Sequence, residues 1–381
     1  MQNLFFELIQ VAMGNRKALS CVPTKEQWEW MLASMKKHAM LGIGFVAIQK
    51  LPQHQWPQKV IVMTFTRAAM TIGQKNVILD KQCREVCQEL ARDGFDAVVI
   101  KGQSNWECYP DELRQYRNPG DIDLWVAPKN KGKTPGNGVG KIVEYALRRR
   151  SEGAHSKVLY YHIDYLTDNG LEVELHYRPS FMCSPLRNVR MQRWFWERFD
   201  ACLDNVGGKG FPVLVPYVNV VYQLVHLYRH VFEGGVGLRQ LMDYYYALLA
   251  WNGEGMSRDE VMRVVRSFGL GKFAAAVMWV MGEVFGNEND DENDDENENC
   301  WMICEPDDKE GRRLLEEILC GGNFGKYDMR DHALKRGGMA RHGLWKLKRM
   351  ARLAGSYTEE ALWEPFFRFF HLLWRMRFKQ Q

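Results

Sequence analysis

The stretch from residue 97 to residue 126 constrains the fold of this 381-residue chain more than any other. It opens with a short apolar run, passes through Lys101-Gly102, and closes in a second apolar run that contains Asp121 and Asp123. Short apolar runs bounded by glycine and polar residues predict two buried strands. Because alternate residues of a strand point to the same side, Asp121 and Asp123 are expected to project together, roughly 6.5 Å apart along the chain. The apolar residues expected to face the interior are Ile122, Leu124 and Val126.

Two carboxylates presented together repel each other, and the usual compensation is a divalent cation. Their oxygen ligands fit Mg²⁺ best, because Mg²⁺ also binds through phosphates and waters. Gly102 allows the backbone to approach a ligand that any Cβ would obstruct, and the amides after it can point toward phosphate oxygens. Arg117 precedes the acidic pair and is either a bidentate phosphate ligand or an exposed loop arginine. The stretch therefore predicts a site for Mg²⁺ and phosphate.

Two further strands are predicted over residues 157–166 and 171–177, joined by the turn sequence Thr167-Asp168-Asn169-Gly170. On the second strand, alternation places four polar side chains on one face, namely Glu172, Glu174, His176 and Arg178. From the hairpin alone, this face is either a solvated surface or the source of a third catalytic carboxylate. Alternation cannot choose between Glu172 and Glu174, because both lie on the same face.

Helical periodicity dominates the rest of the chain, so the predicted class is α+β with a small mixed sheet between helical regions. We expect an N-terminal helical region at residues 1–80, a sheet-containing core at 81–205 and a C-terminal helical region at 206–381. The run at residues 287–299 consists only of Asn, Asp and Glu. Such a run cannot bury apolar surface and repels itself, which predicts a disordered acidic insertion.

Composition excludes several functional classes. The 51 basic and 47 acidic residues give a net charge of +4, so charge alone implies no nucleic-acid partner. The nine scattered cysteines are odd in number, which favours reduced thiols and a cytoplasmic location. The longest unbroken apolar stretch is too short for a bilayer, so no membrane association is expected. The aromatic and basic tail, residues 345–378, is either a helix packed on the body or a membrane-surface anchor.

Several motifs together resemble the polymerase-β-like nucleotidyltransferases, and more narrowly a bacterial family known only as uncharacterised nucleotidyltransferases. The motifs are Lys101-Gly102, Tyr109-Pro110, Arg117 and Gly120-Asp121-Ile122-Asp123-Leu124, then Glu174-Leu175-His176, and finally His226, His230, Leu238-Arg239 and Asp243. The resemblance covers roughly residues 30 to 250. The superfamily usually has Gly-Gly or Gly-Ser shortly before the acidic pair, whereas this chain has Gly102-Gln103-Ser104 and a longer spacer.

The resemblance implies a Mg²⁺-dependent transfer of a nucleoside monophosphate from a nucleoside triphosphate, such as ATP, to the hydroxyl of an unknown acceptor, with release of pyrophosphate. It implies that two Mg²⁺ ions bind to three catalytic carboxylates, Asp121, Asp123 and Glu174. It assigns nucleotide and phosphate binding to Lys101, Gly102, Ser104 and Arg117. It makes three further residues accessory to the site, namely His176, Arg239 and Asp243. Among the two glutamates of the hairpin, the resemblance favours Glu174, because Leu175-His176 follows it.

Other interpretations remain open at the level of sequence. The same fold could bind a triphosphate or a partner without catalysis, as a nucleotide-sensing or scaffold protein, or it could be an antitoxin-like enzyme that nucleotidylates a partner protein or RNA. His226 and His230 have the helical spacing of a metal pair, but hydrogen-bonding structural histidines are the alternative. Arg239 and Asp243 are either a helix salt bridge or residues that order the acceptor side of the cleft.

Overall fold

A computed structural model describes residues 1–132, 134–149, 158–168, 170–286, 301–330 and 339–378. Helices predominate among them, and they surround one small mixed sheet. The predicted α+β class is therefore confirmed. The acidic insertion predicted at residues 287–299 lies outside the described residues.

The sheet has four strands in the order β1-β2-β4-β3. Their bounds are Phe95–Val99 for β1, Asp123–Pro128 for β2, His162–Leu166 for β3 and Glu172–His176 for β4. β1 runs antiparallel to β2, β2 parallel to β4, and β4 antiparallel to β3. The β3–β4 hairpin lies where the turn sequence predicts it. Because β2 and β4 are parallel neighbours, the strand that carries Asp123 lies directly beside the strand that carries Glu174.

The central strand β2 is buried on both faces. Leu124 and Val126 pack with the second half of a long helix and with the helix that follows β2, as the sequence predicts. Trp125 and Ala127 on the opposite face are also fully buried, in the main helical core. The alternation pattern predicted only one interior face. The structure has two, because helices cover β2 on both sides, and a strand buried in this way has apolar residues on both faces.

Four helices precede the sheet: α1 Gln2–Met13, α2 Lys25–Lys37, α3 Leu41–Lys50 and α4 Lys59–Arg92. The start of α2 is set by a capping box, in which the Thr24 side chain accepts from the Gln27 amide and the Gln27 side chain accepts from the Thr24 amide. Helix α4 runs unbroken for 34 residues and leads into β1. It thus crosses the point between residues 80 and 81 where the sequence suggested the start of the core.

The remaining helices lie between and after the strands. Their bounds are Asp111–Arg114 for α5, Val139–Arg148 for α6, Pro185–Trp196 for α7, Phe199–Asp204 for α8, Pro216–Glu233 for α9, Leu238–Trp251 for α10, Arg258–Ser267 for α11, Gly271–Phe285 for α12, Asp308–Gly321 for α13, Met339–Ala354 for α14 and Thr358–Met376 for α15. Short 3-10 turns occur at Gln53–Gln55, Gly102–Cys108 and Asn323–Gly325. Helices α9 and α10 cover the edge of the sheet where Asp123 lies, and this positions the site described below.

The last helix, α15, packs on the body along one side only. The rings of Phe367 and Trp374 lie 5.4 and 5.9 Å from the ring of Tyr160. The other side of the helix leaves apolar side chains such as Leu362, Phe366 and Phe369 exposed. Among the helices of the described ranges, none is both long enough and apolar enough to cross a bilayer.

Candidate active site

A cleft of about 360 Å³ lies between the sheet, helices α9 and α10, and the 3-10 turn Asn323–Gly325. Asp121, Asp123 and Glu174 all line it. Asp123 and Glu174 are register partners on the parallel strands β2 and β4, and Asp123 is only 4% exposed. Asp121 lies just before β2 and is exposed to the cleft. The tertiary fold thus brings together the three carboxylates that were selected from separate parts of the sequence.

The two candidate glutamates of β4 have different surroundings. Glu172 is the first residue of the strand, lies opposite Leu166 in the hairpin and is exposed. Glu174 is partly buried and lines the cleft. The next residue on the same face, His176, is fully buried. Along this face exposure therefore falls from the turn toward the cleft, and Glu174 is the glutamate that lies beside Asp123.

Two basic side chains contact these carboxylates, and one of them, His176, bridges Asp123 and Glu174. Lys101 Nζ lies 2.5 Å from Asp123 Oδ1. His176 Nε2 lies 3.0 Å from both Asp123 Oδ1 and Glu174 Oε2. These contacts hold the acidic side chains of β2 and β4 in one place and offset part of their mutual repulsion.

The same contacts shift the ionisation of the site. Burial acts to lower the pKa of Lys101, but the charges of Asp123 and Glu174 outweigh it and raise that pKa. Burial likewise acts to lower the pKa of His176, but its hydrogen bonds to the same two carboxylates raise it. Burial acts to raise the pKa of Glu174, yet the hydrogen bond and charge of His176 bring it well below its ordinary value. The pKa of Asp121 is raised by burial and then by Asp123 and Glu174. Among Lys101, His176, Glu174 and Asp121, it is Asp121 that is displaced toward its neutral form.

One residue of the site, His162, was missed by the sequence analysis. It begins β3 directly opposite His176 in the hairpin, and its Nδ1 lies 3.5 Å from Glu174 Oε2. Burial and the nearby charges of His176 and Lys101 lower the pKa of His162 to about 2, so the ring is neutral. The hairpin signal places His162 on the strand paired with β4, but only the observed register, in which Leu166 pairs with Glu172, sets position 162 opposite position 176.

The side chains of the cleft fit a divalent cation. Three carboxylates supply the oxygen ligands that Mg²⁺ prefers. Ligand atoms of His162, Glu174 and His176 also lie within 4.8 Å of one another, a second arrangement that could hold a metal ion. Imidazole nitrogens suit Zn²⁺ better than Mg²⁺, whereas carboxylate oxygens suit Mg²⁺, so the site offers both kinds of donor.

The predicted phosphate ligands are only partly assembled in the cleft. Lys101 and Gly102 line it. Gly102 has φ +61°, a left-handed conformation in which a side chain would be strained, so this turn favours glycine. Ser104 is buried in the 3-10 turn that follows Gly102, and it is not among the described residues that line the cleft. Its hydroxyl has no hydrogen-bond partner among the described residues.

Arg117 is not an exposed loop arginine, because it is buried at the wall of the cleft and forms an ion pair with Asp243. Its Nε and Nη2 atoms donate to Asp243 Oδ1 and Oδ2 at 2.6 and 2.7 Å, and both residues are buried. The Tyr109 hydroxyl donates to Asp243 Oδ1 at 2.7 Å. The remaining nitrogen of Arg117, Nη1, has no hydrogen-bond partner among the described residues. Asp243 therefore serves chiefly to hold Arg117 at the wall of the cleft.

Arg239 lies next to this pair on α10. Its Nη1 donates to the Asn118 carbonyl oxygen at 3.1 Å, and its pKa is lowered by burial and by the charge of Arg117. The ion pair with Asp243 that helical spacing suggested is replaced by the pair between Asp243 and Arg117. The reason is that Arg117 reaches α10 from the loop before β2, a contact that local spacing cannot reveal.

Replacing Asp243 with alanine should lower the free energy of unfolding by roughly 3–5 kcal/mol, because Arg117 would remain buried without its carboxylate. Urea unfolding of the full chain measures this change. The matched control is Glu144→Ala, which removes the exposed ion pair with Arg148 on α6 and should cost less than about 1 kcal/mol. A similar small cost for both variants would contradict the structural importance of the buried pair.

His226 and His230 both line the cleft from α9. Their Nε2 atoms lie 3.0 Å apart, so the two rings hydrogen-bond to each other. Burial lowers the pKa of both residues, that of His230 to about 3, and both rings are therefore neutral. This arrangement matches the hydrogen-bonding alternative of the sequence analysis and places the pair opposite the carboxylates.

Comparison with known proteins adds one positive finding. A search of curated proteins and a search of solved structures each gave no match. A family model described as uncharacterised nucleotidyltransferase matches residues 24–286, over two thirds of the chain, including every candidate catalytic residue named above. On this match the chain belongs to that nucleotidyltransferase family.

Proposed function

We propose that this protein is a polymerase-β-like, Mg²⁺-dependent nucleotidyltransferase. It transfers a nucleoside monophosphate from a nucleoside triphosphate to an acceptor hydroxyl and releases pyrophosphate. Family membership supports nucleotidyl transfer as the general reaction and a nucleotide as a substrate. The observation that carries the proposal is the alignment of Asp123 with Glu174 across parallel strands, beside Asp121 and in one cleft with Lys101.

The reaction balances as a single displacement at the α-phosphorus. The acceptor oxygen forms a bond to that phosphorus while the bond to the α–β bridging oxygen breaks, and pyrophosphate carries away the electron pair. We assign the acceptor proton to Glu174, which is ionised because His176 lowers its pKa. Lys101 keeps its proton and supplies positive charge beside the developing negative charge of the phosphates.

Asp121, Asp123 and Glu174 would hold two Mg²⁺ ions, whose chemistry is to neutralise the triphosphate and to lower the pKa of the acceptor hydroxyl. His176 contributes by fixing the orientation of two of these carboxylates through its hydrogen bonds. Arg117, held by Asp243, places a positive charge at the wall of the cleft, where it favours a bound phosphate. The turn at Gly102 keeps the backbone close to Asp121 without a side chain between them.

Incubation with ATP, GTP, CTP and UTP labelled at the α-phosphate, with Mg²⁺ and cell extract, tests the proposal. A transferase moves label to an acceptor, whereas a nucleotide sensor or scaffold leaves all label in free nucleotide. The size and chemistry of the labelled product separates a small acceptor from the protein or RNA partner of an antitoxin-like enzyme. Absence of transfer with all four nucleotides would refute catalysis.

Nucleotide should bind at least roughly tenfold more tightly in Mg²⁺ than in EDTA, because without a cation the carboxylates face the triphosphate directly. Titration calorimetry of the full chain with a non-hydrolysable nucleoside triphosphate measures the difference. The matching nucleoside, which lacks phosphates, is the control and should show no dependence on Mg²⁺. Equal affinity for the triphosphate in both buffers would mean that its phosphates bind elsewhere.

A further inference from the structure

The turn after α13 brings an aromatic ring to the cleft in an unusual backbone conformation. Phe324 has φ +56° and ψ +23°, in the left-handed region, where bulky residues other than glycine are rarely found. Its neighbours Gly322 and Gly325 also have φ of +61°. A left-handed phenylalanine is costly, so the surrounding structure must hold it in place.

The structure holds this turn against the end of α9. A Cβ on Gly325 would lie 1.8 Å from the Gly234 carbonyl oxygen, and a Cβ on Gly235 would lie 2.8 Å from the Gly325 nitrogen. The two backbones therefore pack together more closely than side chains would permit. This close packing fixes Phe324 relative to α9 and to the histidines that α9 presents to the cleft.

The ring of Phe324 points into the cleft, where it is 40% exposed. It lies 5.2 Å from the ring of His230, and Lys326 Nζ lies 5.8 Å from its centre. The preceding residue, Asn323, also lines the cleft, and its buried Oδ1 has no hydrogen-bond partner among the described residues. The turn thus presents an aromatic face to the cleft, next to a residue whose side-chain oxygen is buried and unsatisfied.

We propose that Phe324 and Asn323 form the subsite for the nucleobase of the nucleoside triphosphate. This inference rests on the proposed function. The base is the flat, largely apolar part of a nucleotide, and stacking on an aromatic ring is its usual mode of recognition. The base edge carries N–H groups, and Asn323 Oδ1 would accept from them after a rotation of the Asn323 side chain brings that atom to the surface of the cleft. Both residues lie beyond the family match at 24–286, so the subsite belongs to the C-terminal part of this chain.

Titration of full-length variants with a non-hydrolysable nucleoside triphosphate, and in parallel with inorganic tripolyphosphate, tests the subsite. Phe324→Ala should weaken nucleotide binding by roughly 10- to 100-fold, the range expected for loss of one stacked base. Binding of tripolyphosphate should change by less than about twofold, because it has no base. Phe324→Trp should keep nucleotide affinity, and nucleotide should quench its added fluorescence relative to the wild-type background. The control is Phe369→Ala on α15, which removes an exposed phenylalanine outside the described lining of the cleft.

Each outcome of these titrations either supports or overturns the nucleobase subsite. Unchanged nucleotide affinity in Phe324→Ala would overturn the subsite while leaving the proposed function intact. Equal loss of nucleotide and tripolyphosphate binding would also overturn it, because Phe324 would then maintain the shape of the cleft. Melting curves of all variants show whether they are folded, and Phe324→Trp provides the answer if Phe324→Ala is not. Failure of the wild-type chain to bind any nucleotide would refute the proposed function itself, and the subsite with it.

Discussion

Asp123→Asn and Asp121→Asn should each lose nucleotidyl transfer by at least roughly a thousandfold, the largest effect expected for any substitution in this protein. Asparagine keeps the shape of the side chain but removes the negative charge that the proposed Mg²⁺ site requires. Initial rates with the best nucleotide from the labelling assay measure the loss. Either variant retaining activity near that of the wild type would refute the assignment of the acidic pair.

The same two variants should differ in stability, because Asp121 and Asp123 have different surroundings in the folded protein. The pKa of Asp121 is raised by burial and by Asp123 and Glu174, so the folded protein binds that proton more tightly than the unfolded chain. The metal-free protein therefore loses stability as pH rises through this titration, and Asp121→Asn should be at least as stable as the wild type at neutral pH. Asp123→Asn leaves Lys101 without its closest carboxylate and should cost roughly 1–3 kcal/mol. A lower melting temperature for Asp121→Asn than for Asp123→Asn would contradict this picture.

Glu174→Gln should lose at least roughly a hundredfold in turnover while nucleotide binding is retained, whereas Glu172→Gln should lose less than roughly tenfold. Both residues lie on the same face of β4, so the pair is a matched test of position. Glu174 lies beside Asp123 and accepts from His176, while Glu172 is exposed at the start of the strand. Turnover and nucleotide affinity are measured separately for each variant. The reverse ranking would move the catalytic carboxylate toward the hairpin turn and refute the choice of Glu174.

Local sequence rules predicted the part of the site that lies on strands. Alternation placed Asp123 and Leu124 on opposite faces of β2, because the side-chain period of a strand is two, whereas Asp121, predicted on the same strand, lies just before it. The turn signal before Leu171 predicted the hairpin, whose register also contained the unnoticed pair His162 and His176. Rules of this kind work where the relevant neighbours are close in sequence or fixed by one hydrogen-bonded register.

The contacts between distant segments did not follow from such rules. Arg117 was interpreted from its distance to the acidic pair, but its partner Asp243 lies on a helix that begins 121 residues later in the chain at Leu238. Phe324 was assigned to a helical flank, yet the close approach of Gly234 and Gly325 brings its ring to the cleft.

The sequence by itself determined the α+β class, the two strands that carry Asp123 and Glu174, and the set of carboxylates that we propose as catalytic. These depend on periodicity and turn chemistry, which are properties of neighbouring residues. Only the tertiary structure decided that Glu174 lies beside Asp123, that Arg117 is held by Asp243, and that the turn at Asn323–Gly325 lines the cleft. Each of these depends on how helices and strands far apart in the chain pack together, and packing of that kind is set by the whole core and by no single segment.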